Sequence, residues 1–363
     1  MSIVRFASCK VKAMSAEATL PAKFRRMLAE YTLGDMFGGK KTAVKMHLGG
    51  RIGYTTIRPL FVRTLVEAIK EAGGEPFITD VPGSVNSAVR RGYTSETVSA
   101  PIVPVAGPND EYYRTVPIGY KSLKEVYLAG NVLDADAMIV FSHGKGHGHC
   151  GYGGAIKNLA MGAVTGRTRG LIHRLIDTEF DWNEGDCVQC YLCRENCPTG
   201  AVSFNEKDEF TISMHDCKYC MHCVNTCPVH AIEINLESMR QFQEGMARTT
   251  KAILDTFEPS RVLFITYLLD ITPFCDCWGF STPPIVPDIG IVASDDMVAQ
   301  EQAAIDAIKA ENFIEGTLPP PLSVGSGPGH LLERIHGKDP YLQVEVAADL
   351  GLGKREYNLV EID

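Results

Sequence analysis

The sequence predicts an α/β protein: a mixed or parallel sheet with helices on both faces, interrupted by a small inserted α+β unit. Three observations carry that expectation. Short β-rich runs alternate with helical runs along most of the chain. The 363 residues are 45% hydrophobic and 22% charged, enough to bury a large core. Eight of the twelve cysteines crowd into a single stretch, residues 187 to 227, and break the alternation there.

The β-rich runs are residues 3–6, 42–48, 76–81, 137–142, 261–268 and 284–293, each followed by a turn or a Gly-rich stretch. Helical runs fall between them at 58–72, closed by Gly73 and Gly74, and at 123–133, 236–257 and 296–312. Asp295 is the expected N-cap of the last of these. Host-like patterning on both sides of the cysteine stretch places an insert at 183–235, entered after Trp182 and left near Asn235. The host then comprises residues 1–182 and 236–363.

The eight cysteines read Cys187-x2-Cys190-x2-Cys193-x3-Cys197-Pro198 and Cys217-x2-Cys220-x2-Cys223-x3-Cys227-Pro228. This is the bacterial two-cluster ferredoxin run, in which three closely spaced thiolates hold three corners of a cubane and the fourth comes from the other run. One 4Fe-4S cluster therefore takes Cys187, Cys190, Cys193 and Cys227, and the other Cys217, Cys220, Cys223 and Cys197. A thirty-residue shift also pairs Asp186 with Asp216, Pro198 with Pro228, Ala201 with Ala231 and Val202 with Ile232, as an internal repeat would. Paired zinc ribbons would use CxxC pairs alone and leave the third and fourth cysteines of each run unexplained.

The chain carries 35 basic and 44 acidic residues, a net charge of −9, which argues against a nucleic-acid partner. Residues 183–235 hold eight acids and three bases, and oxidised clusters add about −2 each, so a redox partner with a basic docking face is expected. No apolar run is long enough for a membrane span, and the first residues lack the apolar stretch of a secretory signal, so a cytoplasmic protein is expected.

A second region of chemistry follows the strand at 137–142. Residues 143–162, HGKGHGHCGYGGAIKNLAMG, hold three histidines, two lysines, one cysteine and seven glycines. Gly146-x-Gly148-x-x-Gly151 formally matches a dinucleotide fingerprint, but the loop is too long and too rich in histidine for that tight turn. Gly151, Gly153 and Gly154 instead suit close approach of backbone amides to an anion, at a helix beginning near Gly153. His147 and His149 are then proton-transfer or metal candidates, and Lys157 a fixed positive charge for a small anionic substrate. The plainer reading is a structural Gly-rich crossing with satisfied histidines. Cys275 and Cys277 form a third constellation, with a shared metal or redox role, since thiols one residue apart do not readily form a relaxed disulfide. Two buried, inert cysteines are the alternative there, and Cys9 and Cys150 read as packing.

HGKGHGHCGYGGAIKNLAMG, CDCWGFSTPPIVPDIGIVASDDMVAQEQA and VAADLGLGKREYNLVEI, with a double ferredoxin motif between the first two, resemble the domain-of-unknown-function 362 family. The resemblance covers nearly the whole chain and implies an α/β domain joined to a two-cluster ferredoxin, hence iron-sulfur electron transfer. The stretch from His147 to Lys157 also resembles, more distantly, nickel-pincer lactate racemases, in which a His acts on the substrate proton and a downstream Lys holds the cofactor. That likeness implies a site location. Three functions follow: an oxidoreductase joining two clusters to a site near His143–Lys157 and Cys275/Cys277, an electron-carrying docking subunit, or racemase-like chemistry at His147 and Lys157.

Overall fold

The computed structural model describes residues 1–50, 52–176, 180–197, 199–213, 217, 222–234, 237–279, 282–319 and 322–363. An eight-stranded sheet runs through it in the order Tyr357–Ile362, Ser2–Ser8, Gly290–Ser294, Val262–Leu268, Ala137–His143, Lys41–Met46, Glu75–Asp80 and Ile102–Pro104. Gly290–Ser294 pairs antiparallel with both neighbours and every other pairing is parallel, so the sheet is mixed.

Strand residues alternate between two cores, as a sheet covered on both faces requires. Ala43, Met138, Val140 and Phe264 point into one core with Ile156, Phe242, Val298 and Val344 of the helices Ala155–Gly162, Glu237–Leu254, Met297–Asp306 and Leu342–Asp349. Val44, Ile139, Phe141 and Ile265 point into the other with Phe24, Phe61 and Leu65 of Leu20–Ala29 and Pro59–Glu71. The five parallel strands from Val262–Leu268 to Ile102–Pro104 bring their carboxyl ends to one edge, where ligands bind in open α/β sheets.

Residues 180–234 carry short elements of their own. Phe180–Trp182 pairs antiparallel with Ile232–Ile234, so the chain arrives and departs side by side. Between them Val202–Phe204 pairs with Phe210–Ile212, and Cys193, Val202, Phe210, Cys223 and Ile232 share a small core. Cys220, Pro198, Asp216 and the expected boundary at Asn235 lie outside the described residues. Among the described residues no helix is long and apolar enough to cross a membrane.

Two expectations are corrected. Residues 123–129 form a strand, not a helix, paired antiparallel with Tyr113–Tyr120, and only Gly130–Leu133 turns helical. Val126 and Leu128 alternate with cross-strand partners, and pairing with a distant segment outweighs a helical reading of one window. The helix at 297 is capped by Asp296 rather than Asp295: its Oδ1 accepts the Ala299 amide at 3.0 Å, while Oδ2 accepts the Ser2 hydroxyl and the Lys354 amide. Asp296→Ala is therefore expected to cost about 1–2 kcal/mol in urea denaturation and Asp295→Ala less than about 0.5 kcal/mol; equal losses would return the cap to Asp295.

Candidate functional site

Each strand end at the carboxyl edge contributes a polar group. Lys45 and His47 leave Lys41–Met46, Asp80 ends Glu75–Asp80, His143 ends Ala137–His143, and Asp276 follows Val262–Leu268 in the short helix Asp276–Trp278. With Lys145 they assemble as two triads, buried except for the half-buried His47. Lys45 Nζ donates to Asp80 Oδ1 at 3.1 Å, and His47 Nδ1 and the Leu48 amide both lie 2.9 Å from Oδ2. Lys145 Nζ donates to Asp276 Oδ1 at 2.7 Å, and His143 Nδ1 lies 2.9 Å from Oδ2. Burial alone would raise both carboxyls, yet Lys45 with His47, and Lys145 with His143, hold them well below the usual range. Burial likewise lowers His143 and the Lys45 ammonium, with Lys145 adding to the effect on His143.

Above these triads lies a cavity of about 300 Å³. Lys45, Lys157 and Arg169 supply its lysine and arginine lining, Asp80 and Asp276 its carboxylates, and His47, His143, His147, His149 and His173 its imidazoles. Both carboxylates are already engaged by lysine, so the charge left facing the cavity is positive.

The Gly-rich run folds as a hairpin, Lys145–His147 against Gly151–Gly153, followed by the helix Ala155–Gly162. The hairpin is tied to residues 272–273: the Gly146 amide donates to Thr272 O at 3.0 Å, and a Cβ at Gly146 would run into the Pro273 carbonyl. Gly151 has φ +71° and lies against the backbone of residues 338–340, where a side chain would not fit. Gly153 sits on the cavity floor between His147, Lys157 and Cys275.

At the helix N-terminus a carboxyl group of the protein itself takes up a backbone amide. The helix starts at Ala155, and the buried Glu301 accepts the Ile156 amide at 3.2 Å through Oε2. A Cβ at Gly154 would collide with the other carboxylate oxygen, so this glycine makes room for Glu301, and it also lines the cavity. Burial pushes Glu301 up to about 7 despite the amides of Ala155 and Ile156.

Lys157, on the first turn of that helix, lies 3.6 Å from Cys275 Sγ and 3.7 Å from Cys277 Sγ. The structure bridges these two cysteines as a disulfide, with Cα atoms 5.5 Å apart, which the sequence had not favoured, and the shared metal or redox role expected for them is not thereby excluded. The loop turns sharply between them through Asp276, whose engagement below brings the two flanking side chains to the same side. Donor atoms of His147, Cys275 and Cys277 lie within 4.8 Å of one another, a group that could hold a metal. His147 is buried and its pKa lowered well below the usual value by burial, then by Lys157 and His149. Cys150 packs in the core 3.3 Å from His147 Nδ1, its thiol pushed up to about 12 by burial.

His149 reaches out of the host core. Its Nε2 lies 3.1 Å from the carbonyl oxygen of Cys217, and its ring stacks edge-on against His147, His173 and Phe242. Beyond it, Cys187, Cys190, Cys193 and Cys227 line one small cavity walled by Trp182, Tyr191, Phe204 and Phe210. The Ala231 amide donates to Cys227 Sγ at 3.3 Å. Burial raises Cys197, but the amides of Thr199, Val202 and Ala201 outweigh it and lower this thiol. Cys217 and Cys223 are buried and Cys190 is exposed.

Residues 42–306 match the family model described as domain of unknown function DUF362. The chain belongs to the DUF362 family. A solved structure similar to this DUF362 protein is the lactate racemase apoprotein from Thermoanaerobacterium thermosaccharolyticum, at 11% identity and a TM-score of 0.33, covering 74% of this chain and 51% of that one. The chain thus spans about half of that protein's length. No curated protein matches it.

Lys45, His47, Asp80, Lys145, Arg169, Asp276 and Glu301 of this DUF362 protein escaped sequence reasoning. Asp276 alone had a local signal, its place between two cysteines. The Glu301 carboxyl makes stability fall as pH rises: its protonated form, favoured in the fold, gives its full contribution below its unfolded pKa and loses it through about pH 7. From about pH 5 to about pH 8 the wild type should lose up to ~3 kcal/mol relative to Glu301→Gln, at about 1.36 kcal/mol per pKa unit. Parallel denaturation profiles for the two proteins would remove Glu301 as the source.

Proposed function

We propose that this protein is an iron-sulfur oxidoreductase in which residues 183–235 exchange electrons with the cavity between His143–Lys157 and Cys275/Cys277. The observation that carries the reading is the convergence of Cys227 with Cys187, Cys190 and Cys193 on one cavity, the crosswise set that two ferredoxin runs require. Four thiols within apolar walls suit a 4Fe-4S cluster, and Cys197, Cys217, Cys220 and Cys223 are the corresponding ligands of a second. Cys197 suits that role, since backbone amides already favour its thiolate. When bound, the clusters supply one-electron transfer at low potential.

The protein's own groups do the rest. Lys157 draws a small anionic substrate into the cavity, helped by Arg169, which is itself paired with Asp110, while the Lys45 charge is balanced by Asp80. His147, neutral at physiological pH, offers hydrogen bonds rather than charge. A metal on His147, Cys275 and Cys277 is the competing use of that corner, open only when the sulfurs are not bonded to each other. A partner with a basic face would dock on the acidic insert, and the cytoplasm is the proposed location.

Anaerobically purified protein should carry about eight irons per chain, and Cys190→Ala about four, with loss of half of the visible absorbance. Cys9→Ala, outside both runs, should keep the full complement. An iron-free, colourless wild type, or full iron in Cys190→Ala, would end the proposal.

A further inference from the structure

The Cys275–Cys277 bridge has no evident structural purpose. A crosslink closing so short a loop removes little entropy from the unfolded chain and therefore stabilises little. It sits instead on the cavity wall, with Cys275 buried and Cys277 exposed. The Lys157 ammonium lies within 3.7 Å of both sulfurs, placed to stabilise a thiolate on either.

The bridge is also joined to the insert by an unbroken run of contacts. From the Cys217 carbonyl, His149 Nε2 is 3.1 Å away, the His149 and His147 ring centres are 5.2 Å apart, and His147 lies within 4.8 Å of the two sulfurs. Cys217, His149, His147 and Cys275 are all buried, so this path runs through the protein and along the cavity lining rather than over the outer surface.

The hydrogen bonding of His147 separates redox use of the pair from metal binding. Its Nδ1 accepts the His149 backbone amide at 3.2 Å, so the neutral ring carries its proton on Nε2. A histidine metal ligand has the opposite habit, donating from its second nitrogen to an oxygen acceptor and leaving the first as a lone pair. With its proton on Nε2, His147 is suited to donate to a neighbouring group.

We infer that Cys275 and Cys277 are a redox-active dithiol–disulfide pair, which collects single electrons from the iron-sulfur unit and presents two of them to a substrate in the cavity. The inference rests on the electron-transfer reading proposed above. The sulfur–sulfur bond breaks on taking up two electrons and one proton, leaving a thiol on one cysteine and a thiolate beside the Lys157 ammonium on the other. The electrons arrive one at a time from reduced iron-sulfur clusters and the proton from solvent. Oxidation by the substrate re-forms the bond, and the substrate class is a two-electron acceptor, such as a disulfide, small enough for a cavity of about 300 Å³.

The test is anaerobic alkylation with mass spectrometry of the peptide that carries both cysteines. In dithiothreitol redox buffers the oxidised full-length protein should gain two alkyl groups together, in one two-electron transition that needs no cluster. With dithionite, which acts through the clusters, wild type should gain the same two groups as the visible absorbance bleaches. His149→Phe should bleach normally but reduce the pair at least tenfold more slowly, while Cys9→Ala should behave as wild type. Thiols that alkylate fully before any reductant is added, a stoichiometric metal that protects them, or a pair that stays bridged while the clusters bleach would each overturn the inference. Iron-free protein would instead defeat the electron-transfer reading and the proposed source of electrons, and the dithiothreitol titration would still decide whether the pair cycles.

Discussion

The Asp276 carboxylate, sealed from water, meets the Lys145 ammonium at 2.7 Å and the His143 ring at 2.9 Å, and nearly everything at the site depends on that contact. It anchors the loop after one strand to the end of its parallel neighbour and thereby decides where Cys275 and Cys277 lie. Removing either partner would leave an uncompensated buried charge, which costs several kcal/mol, about 3–5 in typical cases. Lys145 is further held by Thr55 through its hydroxyl at 2.7 Å, so the ammonium has little freedom to follow a displaced loop. The Lys45, His47 and Asp80 triad repeats this device two strands along the sheet and fixes the opposite wall.

Both triads use lysine to neutralise a carboxylate, and this division of charge shapes the cavity. The acids are spent on structure while Lys157 and Arg169 remain on the lining, which favours an anion over a cation there. Glu301 extends the pattern to the helix N-terminus. By occupying the Ile156 amide from inside the core it positions the helix that carries Lys157. Gly154 and Gly151 are thus needed for packing against Glu301 and residues 338–340, while Gly153 and Gly154 both lie on the cavity lining.

His149 joins two parts of the chain that the sequence reads as separate units. Its ring belongs to the host core, against Phe242, yet its Nε2 ends on the backbone of a cysteine from the ferredoxin run. Through it an unbroken series of neighbours runs from Cys217 by way of His147 to the sulfur pair. It also turns two neighbouring sites into one candidate redox path.

Local chemistry alone determined much of this protein. The eight-cysteine spacing reads as two crosswise sets, because the number of residues between thiolates limits which corners of a cubane they can reach. Periodicity placed five sheet strands and the helices Pro59–Glu71 and Glu237–Leu254 within a few residues, since apolar residues must face a core at the repeat of their element, whereas the run at 284–293 is a strand only over Gly290–Ser294. Lys157 and the 275–277 turn stood out by residue type. What the tertiary structure decided were the pairings between distant positions: Asp276 with Lys145, Glu301 with the amide of Ile156, His149 with Cys217, and the strand at 123–129 with its partner at 113–120. Each joins groups whose preference is set by burial and by a neighbour far away in the chain. No window of sequence contains both halves of such a contact, and the free energy that selects it exists only once the sheet has brought them together.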